Sequence, residues 1–450
     1  MPEVPRVFQS ATSVVSFPQI GPVPLQVDFL GGRLTSDGGL PWLADADTAL
    51  ELTSRLAGAV HDWRRRRSPH TVGALLQQRI YQIACGYADQ NDADTLRFDP
   101  LLKQVCGQLP VSGKDLASQP TFSRLENAFG PRDCYRLAQA LGQVYLRERE
   151  RDGIPQRIVL DLDGTDDPTH GEQEGRAFHG YYDQYMYHPL LVFDGETGQL
   201  ITAVLRPGTV HASHGVVAIL KRIVRTLRNQ WPAVAIELRA DSGFAIPALY
   251  RWCEEEGVDY TIGLAGNARL LAAVASLQTE AEAQSKQRGG GKVRLIGETR
   301  YQAGSWAHPR RVVMKAEVLA KGTNTRFVVT TRSDPPQDCY DWYVGRGQTE
   351  NWIKDLKLGC FADRLSCHRF WANQVRLLLH AAAYWLLDMV RHWLRRAAIA
   401  PMTLATVRLR LLKIGGWVRE QTQHTNLRLA SSHPGEDWWR ALDRLRHQSS

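Results

Sequence analysis

Hydrophobic positions change period several times along the chain, and each change predicts a different kind of element. Residues 1–35 are rich in Pro and Val without a clear period and predict an extended arm. "LTSDGGL" (34–40) supplies helix-start residues, and helical periodicity continues to about residue 150. Then the pattern turns to short β-branched and leucine-rich runs: "RIVLDLDGT" (157–165), "PLLVFDG" (189–195) and "QLITAVLRPG" (199–208). A helical pattern spans 213–229, "AVAIELRADSG" (233–243) alternates, a helix covers 246–256, and "VDYTIGL" (258–264) closes the series. Three strands, helix, strand, helix, strand predict a mixed α/β sheet flanked by helices.

The pattern is then interrupted. "KQRGGGK" (286–292) reads as a linker or loop tip, followed by strand-like runs at 292–302, 310–319 and 325–332. These predict a β-rich antiparallel insertion over 265–344, between two parts of one domain at 151–264 and 345–400. Helical periodicity resumes at about 347 and runs through 372–396, and residues 401–450 predict a basic helical C-terminal region. No solenoid-length repeat is visible.

Length and charge add partners to this picture. A chain of 450 residues predicts two or three domains, and 43% hydrophobic with 23% charged residues is globular composition. Net charge of +8 makes polyanions plausible partners. The seven cysteines are scattered, fit no zinc spacing and read as reduced core residues. No secretory signal is visible, and "VRLLLHAAAYWLLDMV" (375–390) carries Arg376, His380 and Asp388, so it reads as a buried helix. A cytoplasmic location is expected. Within the helical 36–150 region, "DWRRRRSPH" (62–70) sets Arg64, Arg65, Arg66 and Arg67 beside an aromatic. "LASQPTFSRLENAF" (116–129) has Ser118 at a cap position, Pro120 in the first turn and Arg124 on the short helix that follows. Both stretches read either as DNA contacts or as a solvated patch and an ordinary capped helix.

Acidic residues stand at two strand ends. Asp161 and Asp163 face the same way on one strand, and Asp241 closes the fourth. Where first and fourth strands are neighbours, as in an RNase-H-like sheet, two carboxylates repel unless a proton or a divalent cation lies between them. Hard oxygen donors suit Mg²⁺ or Mn²⁺. In "YVGRGQTENWIKDLK" (343–357), Tyr343, Arg346, Glu350 and Lys357 fall on one stripe of a continuous helix about 60° wide. Glu350 on that stripe offers a third carboxylate, enough to hold two ions about 4 Å apart.

These residues resemble the DDE transposases of bacterial insertion sequences, in the cut-and-paste group with the Y-x2-R-x3-E-x6-K signature. Tyr343, Arg346, Glu350 and Lys357 match it without a gap, "DGT" (163–165) and "ADSGF" (240–244) match the other motifs, and the β-rich insertion is typical. The resemblance is clear over 151–400, and "GYADQNDADTLRFDP" and "QPTFSRLEN" look like the N-terminal region of the same subgroup. It implies an RNase-H-like fold, with Asp163, Asp241 and Glu350 as catalytic ligands of two Mg²⁺ (or Mn²⁺) ions. Asp163 is chosen over Asp161 because it directly precedes the Gly-Thr pair. Tyr343, Arg346 and Lys357 would hold DNA phosphates near the cut end. Partners would be the element's terminal inverted repeats and target DNA, with a homodimer in the complex and a nucleoid-associated location. Trp306, with Arg310 and Arg311, reads either as a core tryptophan or as a candidate for stacking on an unpaired base, and His170, His179 and His188 of the first hairpin approach the site with nothing that marks them as ligands. Two other readings are a related metal nuclease and a catalytically silent, transposase-derived DNA-binding protein.

Overall fold

A computed structural model describes residues 14–448 except 63 and 65–67. Its centre is a mixed sheet with eight strands among the described residues. In chain order these are β1 (Arg157–Gly164), β2 (Leu190–Asp194), β3 (Leu200–Val204), β4 (Ala235–Ala240), β5 (Asp259–Leu264), β6 (Val293–Tyr301), β7 (Arg310–Leu319) and β8 (Gly322–Thr330). The spatial order is β6-β7-β8-β5-β4-β1-β2-β3. β1, β4 and β5 run parallel and the outer pairings are antiparallel, so five strands carry the 3-2-1-4-5 order of an RNase-H-like sheet. β1 is central and its Ile158, Val159 and Leu160 are fully buried, which is why it reads as a continuous apolar run.

Helices cover both faces. α1 (Pro131–Glu150) and α7 (Phe370–Arg396) pack on β3 and on each other. α2 (Val216–Gln230) runs toward β4 and packs on α3 (Pro247–Glu256), which has Pro at its start and Gly257 in a left-handed cap at its end. α4 (Ala268–Gln287) packs on β6 and β7. α5 (Pro336–Val344) and α6 (Gly347–Lys354) then lead back toward the sheet.

Three organisational features differ from the pattern read in sequence. The segment 265–344 opens with α4, and its strands β6–β8 extend the central sheet through the β8–β5 pairing. Antiparallel strands with a free sheet edge beside them bury more backbone by joining that edge. Residues 401–448 contain a hairpin, Gly416–Glu420 with Thr425–Leu429, and Gly416 and Trp417 pair with Thr35 and Leu34 from the arm's end. The helical region is also continuous with the sheet's core: one buried cluster runs from Leu40 through Phe122 and β1 to Leu412. α7 causes this, because it is buried nearly all round and lies between the helix Val72–Ala84 and β3.

Polar residues in α7 are matched by buried partners. Arg376 donates to Glu126 at 2.5 Å, and Arg391 pairs with Asp388 and Asp355. Among the described residues, no helix is long and apolar enough to cross a membrane. All seven cysteines are buried and unpaired. His380 is fully buried with Nδ1 2.5 Å from the Cys360 carbonyl, and burial holds its imidazole down to about 3. The unfolded chain therefore takes up this proton first, so stability is present above about pH 6.5 and lost as pH falls toward 3. His380→Gln is expected to flatten the acid limb of the thermal-midpoint curve in that window, measured by calorimetry.

Candidate active site

Asp161 and Asp163 share one face of β1, while Leu162 and Gly164 point to the other. Arg239 stands opposite Asp161 in the β4 register and donates to it twice, at 2.7 Å each. The pair is sealed, at 1% and 3% exposure. Arg239 also donates to the Trp342 carbonyl at 2.9 Å and lies over the Trp342 ring, and Thr349 Oγ1 donates to Asp161 at 3.2 Å. Two glycines make room: a Cβ at Gly195 would lie 2.5 Å from the guanidinium, and one at Gly345 2.6 Å from it. Asp161 is therefore a structural anchor between β1, β4 and the α5–α6 junction.

Asp163, one turn of the pleat further on, sits in a different field. It accepts from Arg346 at 3.1 Å, yet burial, together with the negative charges of Asp241 and Glu350, pushes its carboxyl up to about 7. Asp241 follows β4 directly; the Ala240–Leu162 register sets Asp241 alongside Asp163. Its Oδ1 accepts from the Gly243 N–H at 2.8 Å, capping the short turn Ser242–Phe244. Glu350 is exposed in the first turn of α6.

The single helix expected to carry the stripe is interrupted only in its hydrogen bonding, since Gly345 and Arg346 keep right-handed helical dihedrals. α5 ends at Val344 and α6 begins at Gly347, with Gly345 pressed against Arg239, and Lys357 lies in a wide turn at Asp355–Gly359. The turn is held by Arg391 on Asp355. Tyr343 is half-buried at the end of α5, its hydroxyl 2.6 Å from where a Cβ would stand on Gly263. Burial and the charge of Asp241 raise its phenol, with Arg346 opposing. Lys357 donates to the Asp166 carbonyl at 2.8 Å and its carboxylate at 3.1 Å. The segment brings Arg346 and Glu350 beside Asp163 and Tyr343 beside Asp241.

Other candidates lie elsewhere. Trp306 is not a free stacking surface: it is buried at 6% exposure, edge-on to Tyr250 and Tyr301, under Arg310. Arg310 is bound to Glu254 and Arg311 to Glu298. An apolar ring on a hairpin end that meets α3 gains more from the core than from water. Trp306→Ala is accordingly expected to cost about 3–5 kcal/mol of stability in urea unfolding. Arg64 is bound to Asp62 and the His70 carbonyl, and Arg65, Arg66 and Arg67 lie outside the described residues. Arg124 is exposed on the helix Gln119–Ala128, where Ser118 occupies the cap position without a side-chain bond and Asp94 accepts the Gln119 N–H instead. His170 is exposed, while His188 is buried with Nε2 2.8 Å from a Cβ placed on Gly164.

Sequence reading missed three residues of this neighbourhood: Arg239, Thr349 and Asp166. An arginine inside an otherwise apolar strand was the available signal for Arg239, since such a charge needs a buried partner.

Among the described residues, no three His, Cys, Asp or Glu side chains are drawn together tightly enough to hold an ion as they stand. Arg346 lies on Asp163 instead. The donors nonetheless suit Mg²⁺ or Mn²⁺: three carboxylates share a field that raises one of them, which an added cation relieves.

The family described as Transposase DDE domain group 1 matches residues 17–450. No curated protein matches the chain. Among solved structures, the chain is similar to piggyBac transposase in a synaptic complex with hairpin DNA, at 11% identity and a TM-score of 0.44, over 84% of this chain and 80% of that one.

Proposed function

The chain belongs to the transposase DDE domain group 1 family, and from that premise we propose that it binds the terminal inverted repeats of an insertion sequence and performs cut-and-paste transposition. The observation that carries this reading is the placement of Asp163 and Asp241 at the neighbouring ends of β1 and β4, with Glu350 in the first turn of α6 and Arg346, just before that turn, on Asp163. In it, the three carboxylates would hold two Mg²⁺ or Mn²⁺ ions once drawn together. Bound there, such ions supply an activated attacking oxygen and stabilise the leaving oxygen at phosphorus.

The chain's own cations set the DNA in register. Arg346 and Lys357 are now paired with Asp163 and Asp166. A backbone phosphate offers each a stronger partner, and Arg can hold it with two parallel bonds. Arg346 on phosphate leaves Asp163 without its internal cation, so DNA seating and ion binding favour each other. Tyr343, beside Arg346 and Asp241, lines the same surface and donates to the strand. A freed 3′-OH is then directed at target DNA. Two ends require two copies, hence a homodimer on DNA, and the substrate places the protein with the nucleoid in the cytoplasm.

The test is a labelled inverted-repeat duplex incubated with the full-length protein. Cleavage at the repeat end is expected with Mg²⁺ or Mn²⁺ and not in chelator; cutting that persists without divalent ions sinks the ligand assignment. Preferential cutting of branched junctions in a substrate panel favours a resolving nuclease. End affinity is expected to fall steeply with salt, by about a thousandfold or more between 50 and 200 mM for six or more phosphate contacts. The pairing of Arg346 with Asp163 also suits a silent DNA-binding descendant. Calorimetric Mg²⁺ titration of the DNA complex separates the two, because a silent protein takes up no ions there.

A further inference from the structure

Between β1 and β2 the chain leaves the sheet and forms a small flap of its own, with Asp167–Pro168, Ala177–His179 and Gln184–Tyr187 in one antiparallel sheet. The flap is tied to the carboxylate region at its base. Gln184 donates to Asp166 at 2.9 Å, and Asp166 in turn accepts from Lys357. His188 packs against Gly164, the neighbour of Asp163. From there a run of rings climbs outward. His188 is 5.5 Å from His179 and 6.2 Å from Tyr182, and Tyr182 is 5.0 Å from Tyr181. The turn is fixed, with the Tyr182 and Asp183 N–H groups donating to the His179 carbonyl and Asp183 at φ +52°. At its tip Tyr181 is 86% exposed.

A tyrosine standing in water on a hydrogen-bonded turn buries little in the free protein and offers a ring face to a partner. Burial and the charges of Asp166, Asp163 and Asp241 raise the Tyr182 phenol, so the ladder stands in the same field as the catalytic acids. Arg346 and Lys357 border that field, and a phosphate backbone seated on them carries its bases toward the flap. Paired bases cannot use the rings, because their faces are already stacked in the duplex. Unpaired bases can, with little regard to sequence.

We propose that the Tyr181–Tyr182 ladder binds unpaired nucleobases of the DNA strand adjoining the cleaved bond, holding the end open beside Asp163. The inference rests on the transposase reading above.

The experiment compares two DNA ends that differ only in two mismatched base pairs beside the cut position, by equilibrium binding of full-length protein in the absence of divalent ions. Wild type is expected to prefer the opened end by about tenfold, as for a stacked base, and Tyr181→Ala to lose that preference while Tyr181→Phe keeps it. The exposed position makes misfolding of the alanine variant a minor concern, and circular dichroism checks it. Equal preference in Tyr181→Ala and wild type overturns the ladder while leaving the transposase reading standing. Equal affinity of wild type for both ends overturns it too. Failure to bind either end sinks the transposase reading itself, and the ladder with it.

Discussion

Asp163→Asn is expected to slow end cleavage by about a thousandfold or more, on the scale of several kcal/mol of transition-state stabilisation by bound ions. DNA binding should survive, because the substitution removes a negative charge beside Arg346, the cation proposed to meet phosphate. The same substitution has a second, opposite effect on the fold. Asp163 is held up to about 7 in the folded protein against an ordinary 3.8. A carboxyl raised in this way makes its full stabilising contribution below about pH 3.8 and loses it as pH rises through about 7. The amide of the variant cannot ionise and carries no such loss. Thermal midpoints should therefore be higher for the variant than for wild type at pH 8 and converge near pH 4. A variant less stable than wild type at pH 8 would mean that the Arg346 ion pair outweighs burial and repulsion. Asp241→Ala should also abolish cutting while keeping binding, and cutting that survives it rules out the ligand set.

Arg239→Met is expected to destabilise the protein by about 3–5 kcal/mol, because it leaves the sealed Asp161 carboxylate without its cation. Urea unfolding monitored by tryptophan fluorescence reads this directly. Arg239 joins β1, β4, the Gly195 turn and the last turn of α5 through separate hydrogen bonds. Pairing the change with Asp161→Leu should recover much of the loss, since two apolar groups replace two buried charges. A single Arg239→Met variant within about 1 kcal/mol of wild type would show that the buried pair contributes little net stability. The network also bears on chemistry. Thr349, which donates to Asp161, immediately precedes Glu350, so the buried pair fixes where α6 starts and which way its first turn faces.

Local pattern alone placed the five strands of the central order, the helices around them and the acids at their ends. These features are written in side-chain period, turn residues and the polarity of strand termini, each local in sequence. Asp241 is legible because a carboxylate closing an apolar alternation, followed by Ser-Gly, reads as a strand end and cap. The choice between Asp161 and Asp163 was legible only by resemblance, since both face one way. What separates them is Arg239, which stands opposite Asp161 only through the β1–β4 register. Likewise Trp306 with its arginines reads in sequence as either a stacking surface or a core ring, and it is core where β7 carries Arg310 to Glu254 on α3. The helix carrying Glu350 reads as regular, and its interruption at Gly345–Arg346 lies where Gly345 meets the Arg239 guanidinium. The order of elements and the positions of the acids thus belong to the sequence. Which acid is bound, which ring is exposed and where the helix breaks depend on partners roughly 50 to 190 residues away along the chain, and only tertiary packing brings those together.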